Sequence, residues 1–219
     1  MRILHSISLL GALLGMGLII PNLAEARPVS YPGGWTTMLM NNGDMNSLHL
    51  HYSPTAKYSV GVRSAYHREE DFLHSTLQLN KLLKRWNNPD SQANLYLKSG
   101  LGAAYSDAGE FEGEIDPAVF TGIAADWEDR RYFVSYENRY MEAGDIHDGF
   151  HQNARVGIAP YIGDYGDLHT WLMLEVEHEP EADEKFTVTP LVRFFKGVHL
   201  MEAGMSNQGD VLFNYVIRY

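Results

Sequence analysis

The sequence predicts an all-β protein, an antiparallel up-and-down transmembrane β-barrel of about twelve strands, or ten if the weakest segments are dropped. Three observations predict it. Apolar and polar residues alternate with period two along most of the chain after residue 34, so each segment has one apolar and one polar or small face. Several of these stretches run for nine to fourteen residues. A tilted strand needs about 9–11 residues to cross a bilayer, whereas soluble strands average about 5–6. Aromatic residues make up 12% of the chain, and they cap the apolar faces at both ends, where amphipathic rings favour the headgroup level.

The segment before the strands reads as an address. Met1 and Arg2 form a short positive end, Ile7 to Ile20 is an apolar run, Pro21 breaks it, and Ala24-Glu25-Ala26 follows. Small residues three and one before a cut fit a signal-peptidase site. Residues 1–26 are expected to be removed and 27–219 to form the barrel. Export of a chain with no cysteine suits a bacterial envelope.

The expected strands are 34–41, 45–53, 57–67, 72–83, 92–105, 117–127, 131–141, 152–162, 168–178, 185–195, 198–204 and 211–219. The first, and the pair 185–195 with 198–204, have the weakest patterns. In the third strand Tyr58, Val60, Val62, Ser64 and Tyr66 alternate with Ser59, Gly61, Arg63, Ala65 and His67. In the fifth, Leu95, Leu97, Leu101 and Tyr105 share a face opposite Asn94, Tyr96 and Lys98. In the seventh, Tyr132, Val134, Tyr136 and Tyr140 oppose Phe133, Glu137 and Arg139. In the eighth, Ala154, Val156, Ile158 and Ile162 oppose Asn153, Arg155 and Tyr161. Turn formers punctuate the joints: Asn42-Gly43-Asp44, Asn87-Asn88-Pro89-Asp90, Gly163-Asp164 and Gly166-Asp167. Tyr52, Tyr58, Trp127, Tyr132, Phe194 and Tyr219 are expected in one girdle, and Tyr66, Tyr105, Tyr140 and Phe186 in the other.

Val211, Phe213, Tyr215, Ile217 and Tyr219 lie on one face of the last strand, and the chain ends on the aromatic. This end resembles the terminal strand of bacterial outer-membrane β-barrel proteins, with Tyr in place of the usual Phe. The resemblance implies an outer-membrane location and an assembly signal in Phe213, Tyr215, Ile217 and Tyr219 read by the barrel assembly machinery. It also implies contact with outer-membrane lipid and lipopolysaccharide. It identifies a superclass rather than a functional family.

Composition excludes several classes. A mean hydropathy of −0.27, with no later run of 18 apolar residues, excludes a helical membrane protein. The absence of cysteine excludes a disulfide framework, a Cys-ligated zinc site and thiol catalysis. A formal charge of −11 argues against nucleic acid as a partner. That charge is unevenly placed. With twelve strands, the joints at about 42–45, 67–72, 106–116, 142–150, 177–185 and 202–210 share one side. They hold nineteen Asp or Glu, against Arg68 and Lys185 alone. They are also the longer joints, as extracellular loops are. An acidic outer rim is therefore expected, able to concentrate cations and to bind a divalent ion through carboxylates. No other cofactor is expected.

With the apolar face toward lipid, the inward charges are Arg63, Lys98, Arg139, Arg155, Arg193 and Arg218, against Glu137 and Glu175. The lumen is thus expected to sum to about +4. A charge at the lipid midplane costs about 2–4 kcal/mol, so these residues belong inside whatever they do. They either pair and seal the barrel or line an anion-favouring path. His49 and His51 share the inward face about 7 Å apart, a pair able to hold one metal from opposite sides. His74, His169, His199, Met173 and Met201 are expected in the same lumen, a set that suits a soft metal such as copper. Two acidic and histidine clusters, Asp145, His147, Asp148 and His151, and Glu177, His178 and Glu179, fall in expected outer joints. No partnered nucleophile accompanies them. Ser64 and His67 point to opposite faces. An enzyme is not expected. The functional expectation is a porin-like channel for small solutes or ions. The alternatives are a filled structural or interaction barrel acting through its acidic loops, and an envelope metal-handling protein.

Overall fold

The computed structural model describes residues 28–219, and the expected signal peptide lies outside the described residues. The described residues form twelve antiparallel strands in one closed barrel. They are β1 (Gly34–Asn41), β2 (Met45–Thr55), β3 (Tyr58–His67), β4 (Phe72–Asn87), β5 (Ser91–Ser106), β6 (Ile115–Asp129), β7 (Tyr132–Ala143), β8 (His147–Ile158), β9 (His169–His178), β10 (Phe186–Lys196), β11 (His199–Met205) and β12 (Val211–Arg218). Each strand pairs with its neighbours in sequence, and β12 returns to β1. That seam runs from Thr36 opposite Arg218 to Asn41 opposite Phe213. Two backbone bonds between Trp35 and Tyr219, at 2.6 and 3.0 Å, close the end opposite the acidic joints, which is the periplasmic end of a barrel whose longer joints face outward. The twelve-strand count holds, including the weakly patterned β1, β10 and β11.

Alternation decides which face meets what. Leu50, Val62, Leu77, Leu101, Val134 and Leu172 point outward and are exposed. A water-soluble protein rarely exposes so large a continuous apolar surface, whereas a barrel in lipid requires it. Tyr58, Trp127, Tyr132, Phe194 and Tyr219 are exposed at the periplasmic end, and Tyr105, Tyr140 and Phe186 at the other. Trp35 and Trp86 join the periplasmic girdle.

Three small apolar clusters line the inside. Phe72, Ala104, Ala118, Phe120, Met141 and Ala143 pack on the walls of β4 to β7. Phe133, Met173, Leu191 and Leu212 form a second cluster, and Met38, Leu200 and Val216 a third.

Two expectations need correction. The eighth strand is shifted: it spans His147–Ile158 rather than 152–162, and it pairs His147 with Ala143. Pro160 offers no amide to a ladder, so the strand ends before it and extends outward instead. His147 and His151 are consequently strand residues, and the longest joint, 159–168, lies on the periplasmic side. The face of β11 is also inverted. Leu200 and Glu202 are buried inside, while His199 and Met201 are exposed outside. Glu202 sits opposite Arg193 in the ladder, and a paired carboxylate indoors costs far less than one facing lipid. His199 instead shares a 2.7 Å hydrogen bond with the Tyr215 hydroxyl at the membrane surface.

Leu101, 66% exposed and opposite Leu77 in the ladder, tests the lipid-facing assignment. Leu101→Arg should lower stability by about 2–4 kcal/mol in urea unfolding from lipid vesicles. A change within about 0.5 kcal/mol, the usual effect of a surface substitution in a soluble protein, would show that this face does not meet hydrocarbon.

Candidate functional site in the lumen

The barrel encloses a cavity of about 340 Å³. Arg63, Lys98, Glu137, Arg139, Arg155, Glu175 and Arg193 all line it, as do His49 and His51. Arg218 does not. It is the last residue of β12, opposite Thr36, and falls beyond the periplasmic limit of the cavity. The expected net charge of about +4 is not found, because Asp126, Glu177 and Glu202 line the cavity as well. The inverted β11 hid Glu202. Glu177 shares the inward parity of Glu175, and its place next to an acidic joint masks that in the sequence.

The charges are sorted onto two walls. One wall holds Arg63 on β3, Lys98 on β5, and Glu137 and Arg139 on β7. Lys98 Nζ donates to Glu137 Oε2 at 2.5 Å, reaching past β6. It can do so because the residue opposite Lys98 in β6 is Gly122. A Cβ there would lie 2.0 Å from the Asn138 carbonyl oxygen. Arg139 Nη2 donates to the other Glu137 oxygen at 3.5 Å. Phe120 braces this wall from behind: the guanidinium carbons of Arg63 and Arg139 lie 5.9 and 5.3 Å from its ring centre. Its ring occupies the space beside Gly100, where a Cβ would come within 2.3 Å of it. Asp126 is nearer the periplasmic end, bound by Asn94 Nδ2 at 2.6 Å.

The opposite wall is a paired network, in which Glu175 Oε1 lacks a hydrogen-bond partner among the described residues. Arg155 on β8 is paired through Nε with Glu175 on β9, and through Nη1 with Glu202 on β11 at 3.1 Å. Arg193 Nε donates to Glu202 at 2.7 Å, and so does Asn214 Nδ2. Glu175 and Glu202 are almost completely buried. Low-dielectric burial makes the loss of one partner expensive.

The outer mouth is narrowed by contacts that cross it. His147 Nδ1 on β8 and Glu70, in the joint between β3 and β4, are 2.9 Å apart, and the His147 ring lies 5.0 Å from Phe72. Asn42 Nδ2, between β1 and β2, donates to Glu177 on β9 at 3.3 Å. His151 Nδ1 donates to Glu179 at 2.5 Å. Arg68 binds Asn41 and Asn46 through Nη1 at 3.1 and 3.0 Å and also holds the Gly43 carbonyl, tying the two joints of this side together. In the loops, Glu179 is held below the ordinary carboxylate range by that His151 bond. Asp44 is pushed up to about 6, first by burial and then by Glu179 and Glu69.

His49 and His51 point inward with ring centres 5.9 Å apart. His49 Nε2 shares a 3.0 Å hydrogen bond with Ser47. Among the described residues, no group of three or more His, Asp or Glu is arranged to hold a metal ion. His74, His169 and Met173 face inward, but none of the three lines the cavity. Ser64 shares a 2.9 Å bond with Ser75 on the outer face, away from His67. Phe213 and Tyr219 are exposed on the outer face of the seam, with Tyr215 and Ile217 between them.

Two solved structures of one porin share this fold. The KdgM porin, both alone and in complex with disordered oligogalacturonate, aligns with a TM-score of 0.50 at 8% identity, over 85% of this chain and 98% of KdgM. OccK8 (OprE) of Pseudomonas aeruginosa aligns with a TM-score of 0.42 at 6% identity, over 83% of this chain and 62% of OccK8. No family model and no curated protein matches the chain. At this identity the likeness is one of fold.

Two measurements check the electrostatics. Glu202→Gln leaves Arg193 and Arg155 short of a counter-charge, and should cost about 3–5 kcal/mol, while Glu142→Gln on the exterior should change stability by about 0.5 kcal/mol or less. Asp44 has a raised folded pKa, so its contribution favours the fold only while it is protonated. Stability should decline as pH rises from about 4 to about 6 and then level off. Asp44→Asn should gain about 1 kcal/mol at about pH 8, discounted for partial exposure, and nothing near pH 4.

Proposed function

We propose that the protein is a porin-like channel passing small solutes or ions across the bacterial outer membrane. The observation that carries this reading is a cavity of about 340 Å³, lined by charged side chains, inside a barrel whose outside is apolar. A wall built only to fill space would be cheaper with apolar residues. Paired charges held around open volume suit passage of polar solutes. The complex of KdgM with oligogalacturonate supports a polar solute for this fold, and nothing in the reading requires a catalytic group. A second reading, a filled barrel acting through its acidic outer joints, draws on the Glu70–His147 and Asn42–Glu177 contacts that cross the mouth.

Planar-bilayer recording separates the two. The wild type should show discrete conductance steps, and His147→Ala combined with Glu70→Ala should enlarge them by freeing the mouth. Silence of both proteins at both voltage polarities would overturn the channel reading.

A further inference from the structure

We propose that Arg63, Lys98 and Arg139 form a discrete lumen subsite for a small oxyanion, with Arg63 as its open anchor. The inference rests on the channel reading and names the chemistry of what that channel holds. The two charged walls differ in how well they are satisfied. On the Arg155 wall both guanidinium groups have carboxylate partners. On the other wall, among the described residues, Glu137 pairs with Lys98 and Arg139 and does not reach Arg63.

Arg63 is 1% exposed, yet lines the cavity. Among the described residues its Nε has no hydrogen-bond partner, and Nη2 donates to the Met45 sulfur at 3.3 Å. A thioether is a weak acceptor for a group that carries five donors and a full charge. Phe120 faces the guanidinium with its ring, and the ring cannot replace an anion. Such a shortage of acceptors around a buried cation is what a bound anion would relieve.

Glu137 indicates the ligand. A carboxylate already lies between Lys98 and Arg139, so the wall accepts oxyanion geometry. An arriving oxyanion would displace the Met45 sulfur from Arg63, and share Lys98 or Arg139 with Glu137. Arg63 offers the planar fork that carboxylate and phosphate groups match. The cavity has room for a small solute rather than a polymer segment.

The test uses the refolded full barrel and two probes, inorganic phosphate and malonate, with binding measured by calorimetry in detergent and block measured on the conductance. Wild type should bind at least one of the two, and the stronger probe identifies phosphate or carboxylate as the favoured group. Arg63→Gln should weaken that binding about ten-fold or more. Arg63→Lys keeps the charge without the fork, and should fall between the two. It also serves if the Gln variant fails to fold, as judged by heat-modifiable gel mobility. Binding of neither probe, or equal binding by wild type and both variants, overturns the subsite. Binding without conductance keeps the subsite and removes the channel, while conductance without binding does the reverse.

Discussion

Hydrocarbon offers no hydrogen-bond partner to a peptide group, so a strand that enters lipid must find both of its neighbours within the protein. The closure of β12 on β1 meets that demand, and the other features of this molecule are conditioned by it. A closed sheet has an inside. Period-two alternation then sends every second residue there, with no choice about whether it is charged. The lumen is thus the place where a chain with an apolar exterior must put Arg63, Arg139 and Arg155. What distinguishes a useful interior from a filled one is how these groups are arranged once they arrive.

In this barrel the arrangement is asymmetric. One wall spends its charges on one another, through Arg155, Glu175, Arg193 and Glu202. The other keeps an excess of cations, held by Phe120 and by the absence of side chains at Gly100 and Gly122. The glycines matter as much as the arginines, since a methyl group at 122 would collide with the backbone of β7 beneath Lys98.

Most of the architecture was legible in the sequence, because strand pattern and lipid exposure obey one rule. Tyr132, Val134 and Tyr140 could be read as outward without knowing anything about their neighbours. The interior was harder. For β11 the pattern His-Leu-Met-Glu suggested the wrong face, since Leu200 packs inside against Met38 and Val216 and the usual contrast between faces is reversed. Only the cross-strand partner, Arg193, reveals that Glu202 belongs indoors, and partnership is not a property of a single strand. Pro160 was a visible stop for β8 that the continued alternation of Tyr161 and Ile162 obscured. Phe120 carried no signal of its own, because its role comes from a glycine on the next strand.

The strands are of very unequal length. β4, β5 and β6 have 16, 16 and 15 residues, whereas β11, β12 and β1 have 7, 8 and 8. A bilayer of uniform thickness therefore meets a tall wall on one side and a low one on the other. Hydrophobic mismatch of this kind is relieved by leaning the cylinder or by thinning the lipid locally, at fractions of a kcal/mol per Å. The low side also holds the seam, one of the shorter ladders of the sheet, so the lipid is deformed beside a part of the sheet with little to hold it.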